Sequence, residues 1–133
     1  MQNNNTPAGK PGMLYSNHFK KPVIDKGLYA ATTEVVPVDS AYVAGDSLNI
    51  ITPKILGCDA DNFRLMWNGV FSNNKPALTT VKLFQAIDPA CKTKTWFHLT
   101  FNIKPLRQKP DSLPNKTVLV RFGNYKNVVH YNY

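Results

Sequence analysis

Apolar and polar positions alternate most regularly over Thr95–Ile103. Phe97, Leu99, Phe101 and Ile103 fall on one side, and Trp96, His98, Thr100 and Asn102 on the other. An unbroken period of two predicts a strand with one buried face. Asn62–Phe71 repeats the pattern, with Phe63, Leu65, Trp67, Gly69 and Phe71 in phase and Arg64, Met66, Asn68, Val70 and Ser72 opposite. Asn68-Gly69 is also a hairpin signal. Because the apolar phase survives across it, one continuous strand is expected, with the turn at 72–76. Ala77–Ile87 follows, with Val81, Leu83 and Ile87 in phase. Upstream, Leu28–Val36 and Ser47–Ile55 read as strands separated by the turn signal Ala44-Gly45-Asp46.

Residues 13–27 mix Tyr15, Phe19, Val23 and Ile24 with lysines and Pro22, the composition of an arm that packs along a domain. Lys104–Asn115 has three prolines and no period, so a surface loop is expected there. Lys116–Phe122 and Tyr125–Tyr131 flank Gly123-Asn124, which predicts a two-residue hairpin turn. That turn would pair Val118 with Val129 and Val120 with Asn127. It would point Val118, Val120, Phe122, Tyr125, Val129 and Tyr131 inward, and Arg121, Lys126 and His130 outward. The core should contain Phe63, Leu65, Trp67, Val81, Leu83, Phe97, Leu99, Phe101, Val118 and Val120.

About seven strands with turn signals between them predict an all-β domain, an antiparallel β-sandwich over residues 13–133. The 133-residue length fits one domain. Composition agrees: one glutamate and ten prolines leave little room for long helices, while Val, Thr and aromatic residues suit strands. No apolar run reaches the ~18 residues that a membrane helix needs. Gly45-Asp46-Ser47-Leu48-Asn49-Ile50 resembles the lead-in to the second strand of immunoglobulin-like domains, and Trp67 lies where their core tryptophan falls. The resemblance implies a two-sheet sandwich with Trp67 inside it. Thr52 stands where the first cysteine of antibody domains would be, so their inter-sheet disulfide is not implied.

Residues 1–12 are polar, with glycine and proline, and read as a flexible tether. They have no charged n-region or apolar h-region and so are not a signal peptide. The segment resembles the spacer that follows the lipidated cysteine of exported bacterial lipoproteins, which implies export and a lipid anchor. Cys58 and Cys91 are not in a C-x-x-C pair, so redox and zinc-ribbon readings have no support. Two readings stand: a disulfide in an exported domain, or two reduced cysteines. The tether favours the first.

The formal net charge is +8, carried mostly by lysine, with no block of like charges. It reads first as a lysine-rich solvated surface and second as a surface for an anionic polymer or acidic partner. The densest basic feature is Lys104, Arg107 and Lys109 in one loop. The outward trio Arg121, Lys126 and His130 is a second candidate patch for an acidic partner.

Catalytic signatures are missing. There is no G-x-S-x-G element, no phosphate-cradling glycine loop and no selected pair of carboxylates. His18, His98 and His130 lack metal-ligand spacing. Asp59-Ala60-Asp61-Asn62 reads as a polar turn rather than a calcium loop. No cofactor is expected. Trp96, on the less apolar side of its strand, is either an exposed ring that binds sugar or protein, or one covered by the 13–27 arm.

The expectation is a non-catalytic exported or cell-surface module that binds a protein or glycan partner. The rivals are a structural protein of a virus or phage particle and a domain that binds nucleic acid or another anionic polymer through its basic surface.

Overall fold

The computed structural model describes residues 12–16, 21–31, 36–73, 75–107, 116–122 and 128–133. In chain order the strands are β1 (Leu14–Tyr15), β2 (Val23–Ile24), β3 (Ser40–Ala44), β4 (Ser47–Ile51), β5 (Ile55–Leu56), β6 (Phe63–Trp67), β7 (Ala77–Gln85), β8 (Lys94–Thr95), β9 (Phe97–Asn102), β10 (Thr117–Phe122) and β11 (Val129–Asn132). One short helix, α1 (Lys26–Ala31), lies between β2 and β3. The strands form a four-stranded sheet, β1-β9-β4-β3, and a five-stranded sheet, β11-β10-β7-β6-β2; β5 and β8 make a small ribbon. The molecule is an all-β sandwich.

Alternation along the strands drives the packing. All ten expected core residues are buried, Trp67 at 4% exposure and Phe101 at 3%. Phe63 of one sheet meets Phe97 of the other with ring centroids 4.8 Å apart. Side chains of this size each contribute about 1.5–3 kcal/mol by leaving water. Trp67 donates its indole N–H to Thr79 Oγ1 at 2.6 Å, so its one polar atom is satisfied inside the core. Thr52 is fully buried and accepts from the Phe97 amide at 3.0 Å through its hydroxyl.

The sheets are mixed rather than wholly antiparallel. β1 runs parallel to β9, β2 to β6, and β10 to β7. Parallel neighbours need a crossover. For β7 and β10 the crossover contains β8 and β9, so the chain leaves one sheet, adds a strand to the other and returns. The expected arm exists in its described parts: β1 extends one sheet and β2 the other.

Several boundaries differ from those expected. Leu28–Val36 does not begin as a strand. Asp25 caps α1 by accepting from the Leu28 amide at 2.9 Å, and residues 32–35 lie outside the described residues. The strand after Asn62 stops at Trp67. Gly69 adopts φ +77, and Asn68 Oδ1 accepts from the Val70 amide at 3.0 Å, so the Asn-Gly pair turns the chain after all. β7 ends at Gln85, and Ile87 is 47% exposed. The expected loop after Ile103 opens with a 3-10 turn, Lys104–Leu106, that buries Leu106; residues 108–115 lie outside the described residues.

The C-terminal hairpin is displaced by two residues. Val118 pairs with Tyr131 and Val120 with Val129, not Val118 with Val129. This register leaves two more residues in the connection than a two-residue turn would. A shift of two preserves the faces: Val118, Val120, Phe122, Val129 and Tyr131 are buried, while Arg121 and His130 point out. Tyr125, Lys126 and Asn127 lie outside the described residues.

Candidate binding site

Trp96 sits at the break between β8 and β9, where consecutive residues take different partners. Thr95 belongs to the ribbon, opposite Ile55, and its hydroxyl donates to the Gly12 carbonyl at 2.6 Å. Phe97 turns into the core. Trp96 is thereby held outward, half-buried. Lys54 places its ammonium 5.0 Å from the centre of the indole ring, a cation–π contact. Around this pair opens a pocket of about 370 Å³, lined by Lys54, Lys94 and Trp96 together with Leu14, Gly57 and Cys58. Among the described residues, two lysines and no carboxylate line it.

The pocket wall is covalently braced. Cys58 and Cys91 form a disulfide with Cα atoms 5.9 Å apart, inside the range that bridging requires. It ties the end of β5 to the loop before β8, and the Gly57 amide donates to the Thr93 carbonyl at 2.9 Å alongside it. Gly57 has no room for a side chain: a Cβ there would lie 2.5 Å from Gln85 Nε2 and 2.7 Å from Phe97 Cζ. The Gln85 amide is itself fixed, donating to the Leu56 carbonyl at 2.8 Å. Trp96 is neither fully exposed nor fully covered. Its ring is partly covered, and it borders an open pocket. Lys54 was not signalled, because 42 positions separate it from Trp96. Lys94 was within reach, two residues before Trp96.

Arg107 does a different job from the one expected. Its Nη2 donates to both oxygens of Asp46, at 2.9 and 3.2 Å, and its Nε donates to the Tyr131 hydroxyl at 3.1 Å. Tyr131 in turn donates to Asp46 Oδ1 at 2.5 Å. These contacts clamp the β3–β4 turn to β11, across the two sheets, so the guanidinium is committed to the fold. The hydrogen bond from Tyr131, then that from Arg107, holds the Asp46 carboxyl below the usual range. Burial, then the neighbouring carboxylate, pushes the Tyr131 phenol up to about 12. Lys104 is exposed on the adjacent 3-10 turn, while Lys109 and Lys126 lie outside the described residues.

His98 is 8% exposed on the outer face of its sheet. Its Nε2 lies 3.1 Å from Asn49 Oδ1, which also accepts from Thr100. An amide oxygen only accepts, so Nε2 carries the proton. Tyr15 and Tyr42 flank the imidazole, and burial lowers its pKa. This histidine is a satisfied residue of the sheet. Among the described residues no three His, Cys, Asp or Glu side chains gather where a metal ion would bind, and no helix is long and apolar enough to cross a membrane.

Set beside known proteins, the chain matches no family model, no curated protein and no solved structure.

Proposed function

We propose that the domain is an exported, non-catalytic binding module whose Trp96 pocket takes a glycan carrying acidic groups. The observation that supports this is the half-buried indole set beside Lys54 and Lys94 in an open pocket whose described lining holds no carboxylate. A tryptophan edge and face offer apolar surface to the C–H groups of a sugar ring, and the ammonium groups suit a carboxylate or sulfate on that sugar. The Cys58–Cys91 disulfide is compatible with an oxidising location. Residues 1–12 would then serve as the tether to a surface anchor.

The reading is tested by titrating the domain with uronic-acid and sulfated oligosaccharides and following tryptophan fluorescence. Trp67 is buried and should be silent, so the change should vanish in Trp96→Phe. Lys54→Gln with Lys94→Gln should weaken acidic glycans and leave a neutral counterpart unchanged. If no oligosaccharide in such a panel produces a saturable change, the glycan reading fails.

A further inference from the structure

A second cleft, of about 380 Å³, opens on the other sheet between α1 and the outward face of β7 and β10. Arg121 is exposed at its edge, with Tyr29, Thr80, Phe71 and Leu78 around it. The one contact of the Arg121 guanidinium among the described residues is a long one, 3.4 Å from Nη2 to Thr80 Oγ1. A guanidinium carries five N–H donors in a fixed fork that matches a carboxylate. Here the residue is exposed and shares the cleft with the Tyr29 ring. By contrast Arg107, on the same chain, spends Nη2 on both oxygens of Asp46 and Nε on the Tyr131 hydroxyl.

The described outward strand positions of this sheet carry cations. Strand periodicity turns Arg64, Lys82, Arg121 and His130 outward on this sheet, and no described outward strand position on it is Asp or Glu. No two of these cations stand directly opposite each other, and Lys82 is already engaged, donating to the Tyr29 carbonyl at 2.8 Å and lying 4.2 Å from the centre of its ring. In register, Arg121 stands opposite Thr80, Lys82 opposite Met66, and Arg64 opposite Phe84. Leu78, Leu119 and Phe84 lie on the same outward face, and Phe84 is 36% exposed. A phosphate backbone asks for a continuous cationic track. Cations alternating with apolar side chains complement a chain in which acidic and apolar residues alternate.

We propose that this face docks an acidic, partly apolar segment of a partner protein, with one carboxylate of that segment seated against Arg121 and apolar neighbours on Phe71 and Leu78. The proposal does not rest on the Trp96 pocket, which lies by the other sheet.

The probe is a fluorescently labelled peptide that alternates Glu with Leu and Phe, followed by anisotropy against the intact domain. Saturable binding is expected. A charged hydrogen-bonded pair implies a loss of about tenfold or more when every Glu is replaced by Gln, and a similar loss for Arg121→Gln. Arg121→Lys, which keeps the charge but not the fork, should fall between. Trp96→Ala should bind as the native domain does. Arg121 is exposed, so the variants should keep the native melting temperature, which is measured alongside. Absence of binding to the native domain overturns the proposal, as does equal affinity for the Gln peptide or for Arg121→Gln. Loss of binding in Trp96→Ala would move the site to the other pocket and overturn it. Duplex DNA that competes with the peptide and shows the same Arg121 dependence would assign the face to phosphates instead, and would equally overturn it.

Discussion

Asp46, Arg107 and Tyr131 come from three distant parts of the chain and meet at the Asp46 carboxylate, which accepts from the other two. Their protonation makes stability depend on pH at both extremes. The Asp46 carboxyl is lowered in the folded state, so its contribution is complete above the ordinary aspartate value of about 3.9 and is lost as pH falls through the lower folded value. The Tyr131 phenol is raised, to about 12, so its contribution is present below about pH 10 and lost as pH rises through the folded value. Melting temperatures across both ranges should show two declines. Asp46→Asn should flatten the acid one, and Tyr131→Phe the alkaline one. His98 adds a third limb of the same sign as Asp46. Its lowered pKa means the unfolded chain takes up the proton first, so stability should begin to fall below about pH 6.5. At Gly57 the constraint is space. Gly57→Ala should destabilise by about 1–3 kcal/mol, measured by denaturant unfolding, because the Phe97 ring it meets is fully buried.

Among the elements, strands with a clean period of two were legible in residue order alone. Phe63, Leu65 and Trp67, and Phe97, Leu99 and Phe101, are inside because alternation has one buried solution. Ends of elements were harder, since each is decided by a local bond competing with a continuing pattern. Phe71 keeps the apolar phase of β6, yet Asn68 and Gly69 bend the backbone before it. Leu28 looks like the start of a strand, yet Asp25 supplies a cap and Ala30-Ala31 favour helix. Gly69→Ala, with positive φ and Ile24 Cγ2 at 3.4 Å from the new Cβ, should cost about 1–2 kcal/mol in the same unfolding measurement. For the proposed pocket, Trp96 was legible because it falls on the polar side of the alternation that leads into β9. Lys54 was not, because only the β5–β8 pairing brings residues 54 and 96 together. The hairpin faces were legible and its register was not: a slip of two leaves every side chain on its side, so the pattern carries no information that separates the two registers.

For the whole molecule, the core and one covalent tie carry the fold. Trp67→Ala removes a buried ring and the bond that the Thr79 hydroxyl accepts, leaving the one it donates to the Val70 carbonyl, and should cost about 3–5 kcal/mol. The Cys58–Cys91 bond closes a loop of sequence separation 33, so reducing it should cost about 3–4 kcal/mol and loosen the Trp96 pocket before the core. Thermal melts with and without a dithiol reductant, read beside glycan binding, separate those two effects. The parallel pairing of β7 with β10 has its own outcome during synthesis. The last two strands attach to the rest of their sheet only through β7. Until they emerge, a nascent chain holds β7 as an open edge, with the slots for Val118, Val120 and Tyr131 empty beside it. An unpaired edge over an empty slot is a template for whichever strand arrives first, including that of a neighbouring copy. A chain ending at residue 115 should therefore form mixed oligomers by light scattering. Adding a peptide of residues 116–133 in excess should return it to a one-to-one complex.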